Sequence, residues 1–148
     1  MSAKKASPTP PAFLLERKAL VEDAIERHLP PRSAQAPELF DAMHYALSGS
    51  GKRVRPVLVF EAAELLKRPP ARVDFLAAAV EFVHGASLVL DDLPSMDDAA
   101  TRRGQPAVHS KYGEALAILA AIALLMRATE VIAQGCAREK VAREVTTE

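Results

Sequence analysis

Apolar residues recur every three or four positions along nearly all of this chain, and proline or glycine stands wherever that rhythm stops. Such spacing lines one face of a helix, whereas a half-buried strand needs strict alternation. Leu14, Leu15, Ala19, Val21, Ala24, Ile25 and Leu29 predict a helix from Phe13 that stops at Pro30-Pro31. A second is expected from Pro37 to Leu47, ending at Ser48-Gly49-Ser50-Gly51. A third runs from about Arg55 to Lys67, ended by Pro69-Pro70. Asp74 is placed to cap a fourth, Phe75 to about Asp92, which Pro94 closes. Between Phe75 and Leu90 the one charged residue is Glu81, so this helix is expected to be covered on most sides. A polar loop follows over 95–109, then an apolar helix over 114–134. Gly135 punctuates, and an amphipathic helix without a stop signal fills 137–148. No alternating β-branched segment occurs, and 28 alanines suit close helix packing. The expected fold class is all-α. Residues 1–12, rich in Pro, Ser, Ala and Lys, read as a disordered tail before one folded unit, 13–148.

Nineteen basic residues balance nineteen acidic ones, so no overall field favours nucleic acid, and no nucleic-acid partner is expected. The lysines near the N-terminus have no apolar core behind them, which excludes a signal peptide. The longest apolar run, Ala115–Met126, is 12 residues. That is short of the roughly 20 needed to cross a bilayer, so no integral membrane segment is expected. Cys136, the one cysteine, excludes an internal disulfide framework and a cysteine-rich zinc site. A reducing, cytoplasmic location is the simplest reading.

Chemistry concentrates in three places. Asp91-Asp92-Leu93-Pro94-Ser95-Met96-Asp97-Asp98 puts four carboxylates at the end of the covered helix. They repel one another unless a cation sits among them, and Mg²⁺ takes carboxylate oxygens while sharing phosphate oxygens of a substrate. A solvated acidic loop is the plainer alternative. His84 lies seven residues before Asp91, on the same stripe, with Ser87 between them. Pro94 ends the helix, and the loop after it has the reach to return Asp97 to Asp91. Arg102-Arg103-Gly104 offers two planar guanidinium forks suited to a diphosphate, or an ion pair with the acidic loop. Gly49-Ser50-Gly51-Lys52-Arg53-Val54-Arg55-Pro56 delivers three cations to a helix start, where anions are favoured. It is not a nucleotide-binding P-loop: Ala46 stands at the first glycine, Arg53 follows the lysine, and no strand comes before it. His28, His44 and His109 carry no such context, and Cys136 reads as incidental.

Gly51-Lys52-Arg53-Val54-Arg55-Pro56, Glu81 through Leu90, Asp91 through Asp97, and Arg102-Arg103-Gly104 with Pro106 and His109 together resemble the trans-isoprenyl diphosphate synthases. Tyr112-Gly113-Glu114-Ala115 leading into Ile118–Ala121 extends the resemblance across about Leu14 to Val141. It implies an antiparallel helical bundle of the isoprenoid synthase type. It also implies condensation of isopentenyl diphosphate with an allylic diphosphate, assisted by Mg²⁺ and carried out by a homodimer. By matching position, Asp91, Asp92 and Asp97 are the metal ligands, and with Arg102, the allylic diphosphate contact, the catalytic set. Lys52, Arg55, His84 and Arg103 are the contacts for isopentenyl diphosphate. Ala86 and Ser87, both small, stand where the family sets product chain length. With the longer aspartate motif they resemble a bacterial geranylgeranyl diphosphate synthase of carotenoid synthesis. Leu116, Ile118, Leu119, Ile122, Leu124 and Leu125 are expected to serve core and subunit contact.

The chain departs from the family in one respect. A second aspartate-rich motif is absent, since no aspartate follows Asp98. The expectation is therefore a truncated N-terminal half of a synthase, inactive alone. Its alternative is a non-catalytic small subunit that modulates a full-length synthase. A terpene cyclase fits less well, because two separate cationic clusters imply two diphosphates.

Overall fold

The computed structural model describes residues 12–49 and 51–140. Helices α1 (Ala12–His28), α2 (Pro37–Leu47), α3 (Val54–Leu65), α4 (Asp74–Asp91), α5 (Val108–Tyr112) and α6 (Glu114–Arg138) make up the fold. A single turn of tighter helix, Pro70–Arg72, joins α3 to α4. The 95–109 segment, expected as loop throughout, contains a ribbon of two paired residues per strand, β1 (Thr101–Arg102) against β2 (Gln105–Pro106), and the start of α5.

Local chemistry explains the boundaries. Pro37 opens α2 with a fixed φ, and Ser48 closes it with its N–H on His44 and Tyr45 carbonyls. α3 stops before the prolines expected to end it. Lys67 adopts a left-handed φ of 54°, its N–H reaches Glu64 O, and that of Arg68 reaches Ala63 O, both at 2.8 Å. This paired 5→2 and 6→1 pattern satisfies the last carbonyls of the helix. Asp74 is not the cap of α4 but its first residue. Its carboxylate does accept the Phe75 N–H at 2.9 Å.

The core is the antiparallel pair α4 and α6. The start of α4 meets the end of α6: Phe75 lies against Gly135, and Arg138 donates to Asp74 at 3.0 Å. Phe82 on α4 and Leu124 on α6 are fully buried between alanine-rich faces, each worth about 1.5–3 kcal/mol of apolar burial. Gly135 does not punctuate α6. The helix continues through it because the Phe75 ring fills the space where a Cβ would stand. The apolar helix is thus 25 residues rather than the 12 of the uninterrupted run, and by length and composition alone it is long enough to cross a membrane. Its apolar face continues past Arg127 through Ala128 and Val131, while Arg127 itself donates to His28 O at 2.6 Å. Of its most apolar window, 33% is buried against the other helices.

α1 packs on α3 through Arg17, which donates to Glu61 at 2.7 Å, and its last residues meet the start of α4. Asp74, buried at the helix junction, accepts from Arg27 at 2.6 Å and His28 at 3.1 Å as well as Arg138. Burial alone would raise its pKa; the Arg138 and His28 hydrogen bonds outweigh that and hold it below the usual carboxylate value. Of the expected tail, residues 1–11 lie outside the described residues, and Ala12 already belongs to α1. Of the helix expected over 137–148, Ala137 and Arg138 belong to α6, and 141–148 lie outside the described residues, as does Ser50.

Candidate functional site: two charged centres on one helix

The cationic centre forms where the turn before α3 meets the middle of α4. A cavity of about 430 Å³ is lined by Lys52, Arg55, His84 and Arg103, together with Gly51, Arg53, Val54 and Glu81. The four residues expected to hold one diphosphate are therefore brought together from three segments. Arg55 donates to His84 Nε2 at 3.4 Å; since a guanidinium cannot accept, that nitrogen is unprotonated. Burial first, and then the Arg55 charge, hold His84 below its usual pKa of 6.5, with Glu81 opposing and Arg103 and Arg102 reinforcing the shift. Gly51 makes room at the rim: a Cβ there would stand 2.6 Å from Arg103 Nη1. Arg103 holds a left-handed φ of 53° and also lines a smaller cavity of about 140 Å³ beneath the ribbon, beside Asp92 and Arg102. The ribbon is anchored by Tyr45, whose hydroxyl donates to Pro106 O at 2.9 Å.

The acidic centre lies two turns further along α4. After Leu93 the chain doubles back, and Asp97 N–H donates to Asp91 O at 2.9 Å, so both carboxylates flank one turn, as the reach of the loop had suggested. Asp98 sits at φ 48°. Asp92, expected to support Asp91 and Asp97 at the metal, has a partner within the chain. It is buried and takes a two-pronged bond from Arg102, Nε at 2.6 Å and Nη2 at 2.5 Å, which makes it the support of Arg102 rather than an open metal ligand. The ion-pair reading of Arg102 and its position at the acidic centre are both correct. The Asp92 hydrogen bond raises the Arg102 pKa above its usual value, and Asp91 and Asp97 add to it.

Among the described residues no cluster of three or more His, Cys, Asp or Glu is placed to hold a metal by itself. Asp91 is half-buried and Asp97 exposed, and among the described residues no side chain donates to either carboxylate. Two free hard-oxygen donors on one turn fit an ion such as Mg²⁺ that keeps water and phosphate oxygens for its other positions, not one caged by protein alone.

The chain-length positions separate. Ala86 is fully buried in the core, whereas Ser87 opens onto an apolar groove with Val80, Val83 and Ile132 that begins at Arg55 and His84. Neighbouring residues on a helix point about 100° apart, so both cannot floor one groove. Glu81 and Glu22 had not been read as part of the site, and Arg53, one of the three cations expected to meet an anion at the helix start, is taken up by them instead. The signal for Glu81 was in plain view, as it is the one charged residue between Phe75 and Leu90.

A family model described as polyprenyl synthetase matches residues 36–148. The chain belongs to the polyprenyl synthetase family. It is 43% identical over 121 residues to the geranylgeranyl diphosphate synthase of Cyanophora paradoxa, covering 82% of this chain and 40% of that one. It is 43% identical over 122 residues to the farnesyl diphosphate synthase of Geobacillus stearothermophilus, covering 82% and 41%. Among solved structures, the geranyltransferase of Legionella pneumophila superposes with a TM-score of 0.76 at 35% identity, over 90% of this chain and 50% of that one. This polyprenyl synthetase chain thus spans about 40% of the length of those curated relatives, and its helices are those of an isoprenoid synthase.

Proposed function

We propose that this chain carries the two diphosphate-binding centres of an isoprenyl diphosphate synthase, which joins isopentenyl diphosphate to an allylic diphosphate. The observation that carries the reading is the convergence of Lys52, Arg55, His84 and Arg103 on one cavity, with Arg102, Asp91 and Asp97 two turns along the same helix. In this reading Lys52, Arg55 and Arg103 hold the diphosphate of isopentenyl diphosphate, and His84 adds a donor once that charge arrives. Arg102, aimed by Asp92, meets the diphosphate that leaves the allylic substrate. Mg²⁺ bound through Asp91 and Asp97 would supply further charge neutralisation there. The allylic carbon–oxygen bond breaks, the double bond of isopentenyl diphosphate attacks the resulting carbocation, and a proton leaves to the released diphosphate. Preorganised positive charge at the departing oxygens lowers that barrier.

The finer points are proposals of the same standing. Ser87 on the open groove supports a long product such as geranylgeranyl diphosphate. The curated relatives carry both geranylgeranyl and farnesyl names. Leu119, Ile122 and Met126, about half exposed on the outer side of α6, support a homodimer. The single cysteine supports a cytoplasmic site.

Calorimetric titration with isopentenyl diphosphate and with a non-hydrolysable allylic diphosphate analogue, with and without Mg²⁺, tests the reading. The Lys52→Ala, Arg55→Ala variant is expected to lose the first ligand, and Asp91→Ala, Asp97→Ala the Mg²⁺ dependence of the second. Binding of neither ligand under any condition overturns it. Association with a longer synthase, without ligand binding, would favour the modulating-subunit reading instead.

A further inference from the structure

Glu81 presents a problem for any diphosphate site. It lies on the wall of the cationic cavity beside His84, and an open carboxylate there would repel the ligand. It is not open. Arg53, only 5% exposed, donates from Nη1 to Glu81 at 2.6 Å. Its Nε and Nη2 take the two oxygens of Glu22 on α1 at 2.9 and 3.1 Å, and Nη2 also reaches Leu47 O. Four of the five N–H donors of this guanidinium are taken within the protein, so it is committed to Glu22, Glu81 and Leu47 rather than to a ligand. It also sits at a left-handed φ of 50°, a conformation that a non-glycine residue keeps only where its surroundings enforce it.

Resting on the diphosphate reading, we propose that Arg53 is a positioning residue that withdraws the Glu81 carboxylate from the cavity, leaving Lys52, Arg55 and Arg103 to act on the ligand unopposed. Arginine suits the task because its planar fork serves Glu22 and Glu81 at once, which a lysine ammonium does not. Glu22 lies outside the cavity, so its own charge does not enter the balance there.

The test uses methylenediphosphonate as the probe and calorimetry on the full chain, with NMR titration of His84. Arg53→Gln is expected to weaken the probe by about tenfold or more. It should also raise the His84 pKa relative to the unmodified chain, because the released Glu81, which already opposes the lowering by Arg55, Arg103 and Arg102, then acts on it more strongly. Arg53→Gln, Glu81→Gln should recover affinity to within about threefold of the unmodified chain. Failure of that recovery, or an Arg53→Gln variant that binds normally, overturns the inference. Where Arg53→Gln does not fold, Glu81→Gln alone decides: unchanged affinity is expected, and a tenfold gain would mean that Glu81 still opposed the ligand. If the unmodified chain binds no probe, the diphosphate reading fails. The His84 titration, which needs no ligand, then settles whether Arg53 restrains Glu81.

Discussion

Single atoms decide the shape of the cationic centre. Gly51 leaves open the space that the Arg103 guanidinium occupies, and its backbone does not need a left-handed φ. Gly51→Ala should therefore keep the fold, with an unchanged unfolding midpoint, while pushing the flexible end of Arg103 aside. Calorimetry should find diphosphate binding weakened about threefold to tenfold, on the scale of one hydrogen bond to a charged group. His84 gives a pH signature. Its pKa lies below the usual 6.5 in the free chain because of burial and Arg55, and a bound diphosphate brings negative charge that raises it. Affinity should thus gain as pH falls through the window between the raised and the lowered value. Binding within that window should take up a fraction of a proton, seen as a buffer-dependent heat, and His84→Asn should abolish that increment. Part of this scale was legible: residue types and spacing marked the acidic run and two cationic clusters, and the family resemblance added His84, which does share a cavity with Lys52, Arg55 and Arg103. The pairings of Asp92 and Arg53 were not, because which carboxylate a guanidinium takes depends on a fold that brings residues 22, 53 and 81 together.

Helix boundaries followed the sequence where a proline sets φ, as at Pro37, and drifted where backbone geometry chose the stop, as at Lys67. The glycine at 135 misled for a physical reason. Read along the chain, it is a helix breaker; in the packed pair it is the one residue that lets α6 approach the Phe75 ring. A Cβ at 135 would lie 2.2 Å from that ring, and an aromatic ring in a packed core has little freedom to yield. Gly135→Ala should destabilise the chain by about 1–3 kcal/mol despite the better helix propensity of alanine. Thermal unfolding followed by circular dichroism measures it, and a stabilised variant would mean that the α4–α6 contact is looser than described.

Across the whole molecule, charge is sorted by depth. Asp74 and the Arg53–Glu81 pair knit α1, α3, α4 and α6 from within. Large apolar side chains remain outside on several faces, among them Leu58 and Leu65 of α3 and Leu66 just after it. The all-α architecture could be read from the periodicity alone. The pairing of α4 with α6 could not, since periodicity says which face is buried and not against what. One consequence follows from His84 and Asp91 sharing an unbroken helix. Seven residues at 1.5 Å each fix their separation along the axis at about 10 Å, and no hinge lies between them. The helix is a ruler: the two charged centres are held at a set offset, whatever neighbouring loops do. Inserting one alanine after Ser87 would turn Asp91 by about 100° and should uncouple Mg²⁺-dependent binding from a cationic centre that still works. Two ligands that continued to bind cooperatively in such a variant would show that the spacing is measured elsewhere.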